Sequence, residues 1–433
     1  MKKKYLILGA GIAGLSASYH LKKGGINSII LEKKSRAGGL LDNFKIKGFT
    51  FDHFVHLSLA KNNYVKKFFA KSAKYYQHNP TPNNYYKNKW ITHSPQNHLY
   101  PLEIKEKLKI LRDFIFRKKI NFKKDINYEE WLRSVYGNYF AEKFPMTYTK
   151  KYWTIKANQM SSQWVSFRMN VPKLFDLIKG SFFSIYNNTF YAKNLRYPKS
   201  GGYKSFLSIL LKQKNIQLDQ NILSIDLEKK IIFTDRKKIR YDSLISSIPL
   251  TEICKLIKKV PKKVLIASKK LNYTSGVLVS LGLKKKIKSE MWFYIYNKNI
   301  KAARVHSPSL KSIGNAPNGC SSLQAEIYLD KKEIINKKKL KEIEENTITN
   351  LIKMGLFEKN DIIVKDIRYV KYANVIFDKK IYDCRKIVKD FLNNKKIFSV
   401  GRFGEWEYLW SDQAFLSGKK AADEIQKKTK KVM

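Results

Sequence analysis

The feature that most narrows what this chain can fold into is Gly9-x-Gly11-x-x-Gly14, which directly follows the apolar run Tyr5 to Leu8 and opens a helical pattern over Ile12 to Lys22. Strand, glycine turn and helix in that order let the backbone approach a pyrophosphate, whose charge meets the amide-rich start of the helix. Ile26 to Leu31 reads as the next strand, and Glu32 closes it 18 residues beyond Gly14. A carboxylate at that position accepts hydrogen bonds from both hydroxyls of an adenosine ribose and repels a 2′-phosphate. The spacing therefore predicts a dinucleotide-binding βαβ unit. Met1 to Ser18 also has the basic start and apolar stretch of a signal peptide, but the glycine spacing inside it argues for the turn instead.

A chain of 433 residues exceeds one ordinary core, so interleaved domains are expected. Hydrophobic residues make up 43% and aromatics 13%, which excludes general disorder. The formal charge of +51 raises nucleic acid or an anionic membrane as a partner. Only 12 of the 86 basic residues are Arg, however, and the Lys excess runs through the whole chain beside abundant Asn and Ile, as compositional drift would produce. No nucleic-acid motif accompanies the charge, so nucleic acid is not expected, while weak attraction to anionic lipid stays open. Cys254, Cys320 and Cys384 are far apart and odd in number, which predicts neither a disulfide framework nor a metal site and fits a reducing cytoplasm. No run approaches ~18 uninterrupted apolar residues, so no transmembrane helix is expected.

From about Asn62 to Asn188 the pattern is helical and aromatic. Within it, Leu102 to Lys119 carries Ile104, Leu108, Leu111 and Ile115 at helical spacing and reads as a basic amphipathic helix packed on a core, with peripheral membrane contact as the lesser alternative. Gly201 to Lys212 reads as turn plus helix, and Ile216 to Ile232 and Ile239 to Ile248 read as strands. Val277 to Leu283, Trp292 to Tyr296 and Leu323 to Leu329 are expected in one sheet, followed by a helix around Leu340 to Met354. Ile397 to Ile425 reads as strand, glycine-containing loop and helix. The expected fold class is α/β, with a helical region at 61–189 and a β-rich domain at 256–384 beside a Rossmann-type domain.

After Glu32 come Arg36, Gly38 and Gly39, an Arg-x-Gly-Gly segment that resembles the one extending the pyrophosphate contact in Rossmann-type proteins that bind FAD. With Tyr241 to Leu250, with Ile397 to Arg402, and with Gln413, Ala414 and Gly418 on the last helix, the sequence resembles the flavin-containing amine oxidase and protoporphyrinogen oxidase superfamily. This family resemblance, carried by motifs at both ends, assigns 1–60, 190–255 and 385–433 to the Rossmann-type domain. It implies FAD held noncovalently by Gly9, Gly11, Gly14, Glu32, Arg36, Gly38, Gly39, Gly401, Arg402, Asp412 and Gln413.

Four places resemble the UDP-galactopyranose mutase-like branch. Gly48 to Asp52 leads to His56 at a similar spacing, although Phe54-Val55 stands where that branch has Gly-Gly. Tyr148 to Trp153, followed by Arg168, is similar to a segment lining the nucleotide pocket. Arg304, ahead of Ala316 to Glu326, resembles an arginine on the substrate phosphate, and Gly401 to Tyr408 through Asp412-Gln413 matches the C-terminal motif in spacing. This resemblance implies His56 against the flavin, Trp153 and Arg168 in the nucleotide pocket, and Arg304, Arg402 and Tyr408 on the diphosphate of a UDP-sugar. The implied reaction exchanges pyranose and furanose rings in cell-surface polysaccharide synthesis, with reduced flavin attacking the anomeric carbon as UDP departs. His56, Arg304 and Arg402 would form the catalytic set.

Two departures keep other activities open. Pro172 stands where bacterial mutases carry a second arginine, and Tyr408-Leu409-Trp410 replaces Tyr-Tyr-Asp. An FAD-dependent oxidoreductase acting on an amine, a lipid-linked or another small substrate would share the same cofactor motifs. So would a polyanion-binding protein with a vestigial flavin site. The plainer alternatives for single residues are structural ion pairs for Arg304 and Arg402, an interior hydrogen-bonded His56, and core or pocket wall for Trp153 and Trp164.

Overall fold

The structure is a computed structural model and describes residues 3–118, 126–165, 169–184 and 192–430. Its first strand, β1 (Tyr5–Leu8), the first helix, α1 (Ile12–Lys23), and β2 (Ser28–Leu31) follow the expected order. β1 lies inside a five-stranded parallel sheet whose order is Ile397–Ser399, Ser243–Ser246, β1, β2 and Ile216–Gln217. Parallel strands covered on both faces need apolar residues throughout, which is why Tyr-Leu-Ile-Leu carries no polar alternation. Three separated stretches of chain thus share one sheet, and Leu244 pairs with both Leu6 and Ile397.

Two glycines set how tightly helices close on this sheet. A Cβ on Gly14 would lie 2.1 Å from the Gly9 carbonyl oxygen, and one on Gly418 would lie 2.1 Å from that of Ala13. The C-terminal helix, Ser411–Lys430, therefore packs directly on α1.

A second, seven-stranded mixed sheet runs in the order Ile362–Val375, Tyr273–Leu283, Ser321–Asp330, Arg304–His306, Trp292–Ile295, Asn83–Tyr86 and Lys89–Thr92. The three strands expected to share a sheet do so. One face of Tyr273–Leu283 presents Val277, Val279 and Leu281 to helix Lys337–Lys353 through Ile343 and Leu351. The opposite face looks toward the helical region, where Tyr152 packs on Tyr328 with ring centroids 4.6 Å apart. The α/β fold class is the expected one, a parallel sheet with a separate mixed sheet.

Three local expectations change. Ile216 to Ile232 and Ile239 to Ile248 are not long strands: Ile222–Asp226, Ile231–Thr234 and Lys238–Arg240 form a small antiparallel sheet between two strands of the parallel one. The turns that divide them rest on Asp226, which accepts from the Lys229 amide at 3.0 Å, and on Thr234, whose hydroxyl accepts from the Lys237 amide at 3.0 Å. Within the stretch read as helical, Asn83–Tyr86 and Lys89–Thr92 form a hairpin about Lys87 and Asn88, both at positive φ, as a two-residue type I′ turn requires. The amphipathic helix is Ile104–Ile115, and its stripe is split: Leu111 is buried, whereas Ile104, Leu108 and Ile115 are each 53% exposed. Ile110 and Phe114 supply the core face instead, because the helix is rotated toward them.

Candidate functional site

The glycine turn delivers α1 with Gly11 as its N-cap, no side chain capping it and no acidic residue in its first turn. Among the described residues no side chain caps its first amides, which a buried helix start leaves in need of acceptors. A Cβ added to Gly11 would meet nothing within 4 Å, so the chain leaves room beside those amides. An anionic diphosphate fits both the space and the polarity.

Around this opening the expected cofactor residues converge. Glu32 follows β2 and turns back to the glycine loop, accepting from the Ala10 amide at 2.8 Å and the Lys34 amide at 3.0 Å. Gly38 donates to the Ala10 carbonyl at 2.9 Å, and a Cβ on Gly39 would stand 3.1 Å from the Gly11 Cα. Arg36 is engaged with Asp42 through Nε at 3.0 Å and Nη2 at 2.9 Å, and this pairing raises its pKa. From the other end of the chain, Gly401 lies so close that a Cβ on it would be 2.7 Å from the Ala13 Cβ. The two glycine segments, almost four hundred residues apart in sequence, are in contact at the first turn of α1. Asp412 is buried in the first turn of the C-terminal helix, and burial raises its carboxyl pKa. Gln413 is exposed and accepts from the Trp410 amide at 2.8 Å.

His56 sits between this loop system and the second sheet. Its Nε2 is 3.1 Å from the Leu40 carbonyl, next to the glycine pair, and its ring lies 5.2 Å from that of Tyr203. A carbonyl only accepts, so Nε2 carries the proton and Nδ1 is an acceptor. Burial pushes the imidazole pKa down to about 4, with Asp52 opposing and Lys311 reinforcing the shift. His56 is neutral near pH 7.

Between the helical region and the second sheet opens a cavity of about 1100 Å³, counted with its mouth. Tyr148, Tyr152, Trp153, Trp164 and Tyr294 line it, together with Arg304 and Tyr408. Arg402 donates through Nη2 to the Asn374 side-chain oxygen at 2.9 Å, and the Tyr152 hydroxyl donates to the same oxygen at 3.1 Å. That hydroxyl is also 3.4 Å from the one on Tyr408. Among the described residues the Arg402 Nε is buried without a hydrogen-bond partner, as is the indole nitrogen of Trp153. Arg304 binds the fully buried Glu326 through Nε at 2.8 Å and Nη2 at 2.6 Å. Burial opposes its charge, but Glu326 holds its pKa well above the usual value. Among the described residues Nη1 of Arg304 makes no hydrogen bond, so the residue is an ion pair and a wall of the cavity at once. Arg168 lies outside the described residues.

Several residues of the site were given no role of their own by the sequence. Asn374 joins Arg402 to Tyr152, and Glu326 also accepts from the Val55 amide at 2.6 Å and the Tyr328 hydroxyl at 2.6 Å. Asp52 and Lys311 form an ion pair at 3.3 Å with both side chains fully buried. A single structural lysine is invisible among 86 basic residues, whereas Glu326, in an apolar strand, was detectable as a charge that needs a partner. Among the described residues no group of His, Cys, Asp and Glu is arranged to hold a metal ion.

Known structures share this architecture. Over 98% of this chain and 95% of the other, the fold matches a reduced UDP-galactopyranose mutase with a TM-score of 0.90 and 22% identity. A redesigned putrescine oxidase matches over 98% of each chain with a TM-score of 0.65 and 13% identity. In sequence, 50 residues are 46% identical to a 1-hydroxycarotenoid 3,4-desaturase of Flavobacterium sp., a match that spans 12% of this chain and only 10% of that relative. From the start of α1 to the C-terminal helix, over residues 12–426, the chain matches the flavin containing amine oxidoreductases, and it belongs to that family.

Proposed function

We propose that the chain binds FAD noncovalently and, with the flavin reduced, interconverts the ring forms of a nucleotide-linked sugar. The observation that carries this reading is that Tyr152, Tyr408 and Arg304 line one cavity, with Arg402 joined to Tyr152 through the shared Asn374 oxygen. Two guanidiniums and two phenol groups are the donor set that a diphosphate requires, and charge-assisted forks orient it as well as bind it. In this reading residues 1–60, 190–255 and 385–433 hold the cofactor, while 61–189 and 256–384 enclose the substrate. The uncapped amides of α1 take the pyrophosphate, and Glu32 takes the ribose.

Bound reduced flavin supplies the nucleophile toward the anomeric carbon. Arg402 and Tyr408 hold the departing diphosphate in place, and Nη1 of Arg304 adds a third contact. Neutral His56 offers Nδ1 as an acceptor without adding positive charge near the flavin. Trp153 and Trp164, with ring centroids 4.5 Å apart, wall off water at the nucleotide end.

The test is anaerobic incubation with UDP-galactopyranose and dithionite, followed by separation of pyranose and furanose products. Ring interconversion without continuing consumption of reductant supports the proposal. A second reading, oxidation of an amine or lipid-linked substrate, draws on the largely aromatic lining of the cavity. It requires one acceptor reduced per substrate turned over, and that stoichiometry in place of isomerisation would replace the first reading.

A further inference from the structure

The strongest unexplained feature lies outside the cavity, on two neighbouring helices. Helix Ile104–Ile115 turns Ile104, Leu108 and Ile115 outward, and Phe116 at its end is 81% exposed. Helix Leu174–Phe182, which contacts it, exposes Leu174, Phe175, Ile178 and Phe182 along one side, with Val171 and Phe183 at its ends. Scattered exposed apolar residues are ordinary, but this is a concentration of large side chains on adjoining elements, which marks an interaction surface. These positions recur at intervals of three, four and seven, so each helix carries its own buried side as well: Ile110, Leu111 and Phe114 on one, Leu177, Gly180 and Ser181 on the other.

The rim identifies the partner. Lys105, Lys109, Lys173 and Lys179 are exposed beside the apolar side chains. The acidic residues of Ile104–Ile115 are engaged, with Glu106 buried against the Tyr86 and Tyr139 hydroxyls and Asp113 paired with Arg112 at 2.9 Å, so Asp176 is the exposed carboxylate the two helices present against four exposed lysines. A second copy of this chain would bring two such basic rims together, at a formal charge of +51 each, whereas anionic headgroups neutralise the rim while the apolar side chains enter the headgroup boundary. We infer that these two helices dock the protein on an anionic phospholipid bilayer, lying in its surface. No helix among the described residues is long and apolar enough to cross a membrane, so the attachment is peripheral.

The position of this face ties it to the site. The back of helix Leu174–Phe182 rests on Pro95–Asn97, where a Cβ on Gly180 would stand 2.1 Å from the Asn97 carbonyl oxygen. Pro95 and Gln96 line the cavity. A docked bilayer therefore lies one helix away from the cavity wall.

The test is vesicle flotation of the full chain with phosphatidylcholine alone and with phosphatidylcholine containing phosphatidylglycerol. The expected result is flotation with the anionic vesicles, much weaker flotation with phosphatidylcholine, and a loss of about tenfold or more in the L108E/F175E variant. Both positions are exposed, so circular dichroism and melting temperature are expected to match the parent protein. Flotation of L108E/F175E equal to that of the parent would assign the attraction to dispersed lysines and overturn the inference. It is equally overturned if the parent ignores anionic vesicles and instead forms a dimer, seen by sedimentation velocity, that the variant dissolves.

Discussion

The guanidinium carbon of Arg402 lies 4.6 Å from the ring centroid of Tyr408, so the C-terminal loop folds its own tyrosine against its arginine. Asn374 fixes one nitrogen of that guanidinium, and among the described residues the buried Nε has no hydrogen-bond partner. Such a group is costly unless a ligand meets it.

Arg402→Ala is expected to lower turnover about a hundredfold or more, as loss of a preorganised charge donor does, with flavin still bound. Arg402→Lys is expected to recover little, because an ammonium cannot reproduce the planar fork. Turnover under dithionite and the flavin-to-protein ratio measure the two parts separately.

Glu32→Ala removes the carboxylate that accepts from the Ala10 and Lys34 amides, and it removes the proposed ribose ligand. Orphaning a backbone donor costs roughly 1–3 kcal/mol, so the glycine loop loosens along with the lost contact. The variant is expected to purify with less flavin and to bind added FAD at least about tenfold more weakly. Fluorescence titration of the stripped protein reports this.

The Asp52–Lys311 pair tests the scaffold independently of the chemistry. Lys311→Met leaves Asp52 buried with only the Tyr197 hydroxyl at 2.6 Å and the Tyr203 amide at 2.9 Å. Breaking a buried pair on one side costs about 3–5 kcal/mol. The double variant D52N/K311M is expected to recover part of that loss, because no unpaired charge remains. Urea unfolding of the three proteins gives the comparison.

His56 sets a direction with pH. Its folded pKa of about 4 lies below the 6.5 of the free side chain, so between those values the unfolded chain binds the proton more readily. Stability is therefore full above pH 6.5 and falls as the pH drops toward 4, with His56 contributing up to about 3 kcal/mol of that loss. His53 and His93 are also lowered by burial and act with the same sign. His56→Gln is expected to destabilise less at pH 5 than at pH 7, relative to the parent, in denaturant midpoints.

How much of this was legible in the sequence follows physical range. The Gly9 to Glu32 unit is local: one strand, one turn and one helix, with spacing fixed by backbone geometry, and it appears where the pattern placed it. The contact of Gly401 with Ala13 is long-range, and only the resemblance to a family joined the two ends before the structure did. The small antiparallel sheet at Ile222–Arg240 was missed because short apolar runs do not show where the chain reverses; the turns rest on single side chains at Asp226 and Thr234. Ile104, Leu108 and Ile115 misled because helical periodicity reports that a stripe exists and not whether protein covers it. Asn374 and Lys311 were unreadable because their importance lies in partners far away in sequence.

The most direct measurement is the visible absorbance spectrum of the purified protein, followed by acid precipitation and chromatographic identification of the released chromophore. The account predicts a flavin spectrum, FAD in the supernatant at close to one per chain, and a marked loss of both in Glu32→Ala. A colourless protein that takes up no added FAD, or a flavin that stays with the precipitated chain, would contradict it.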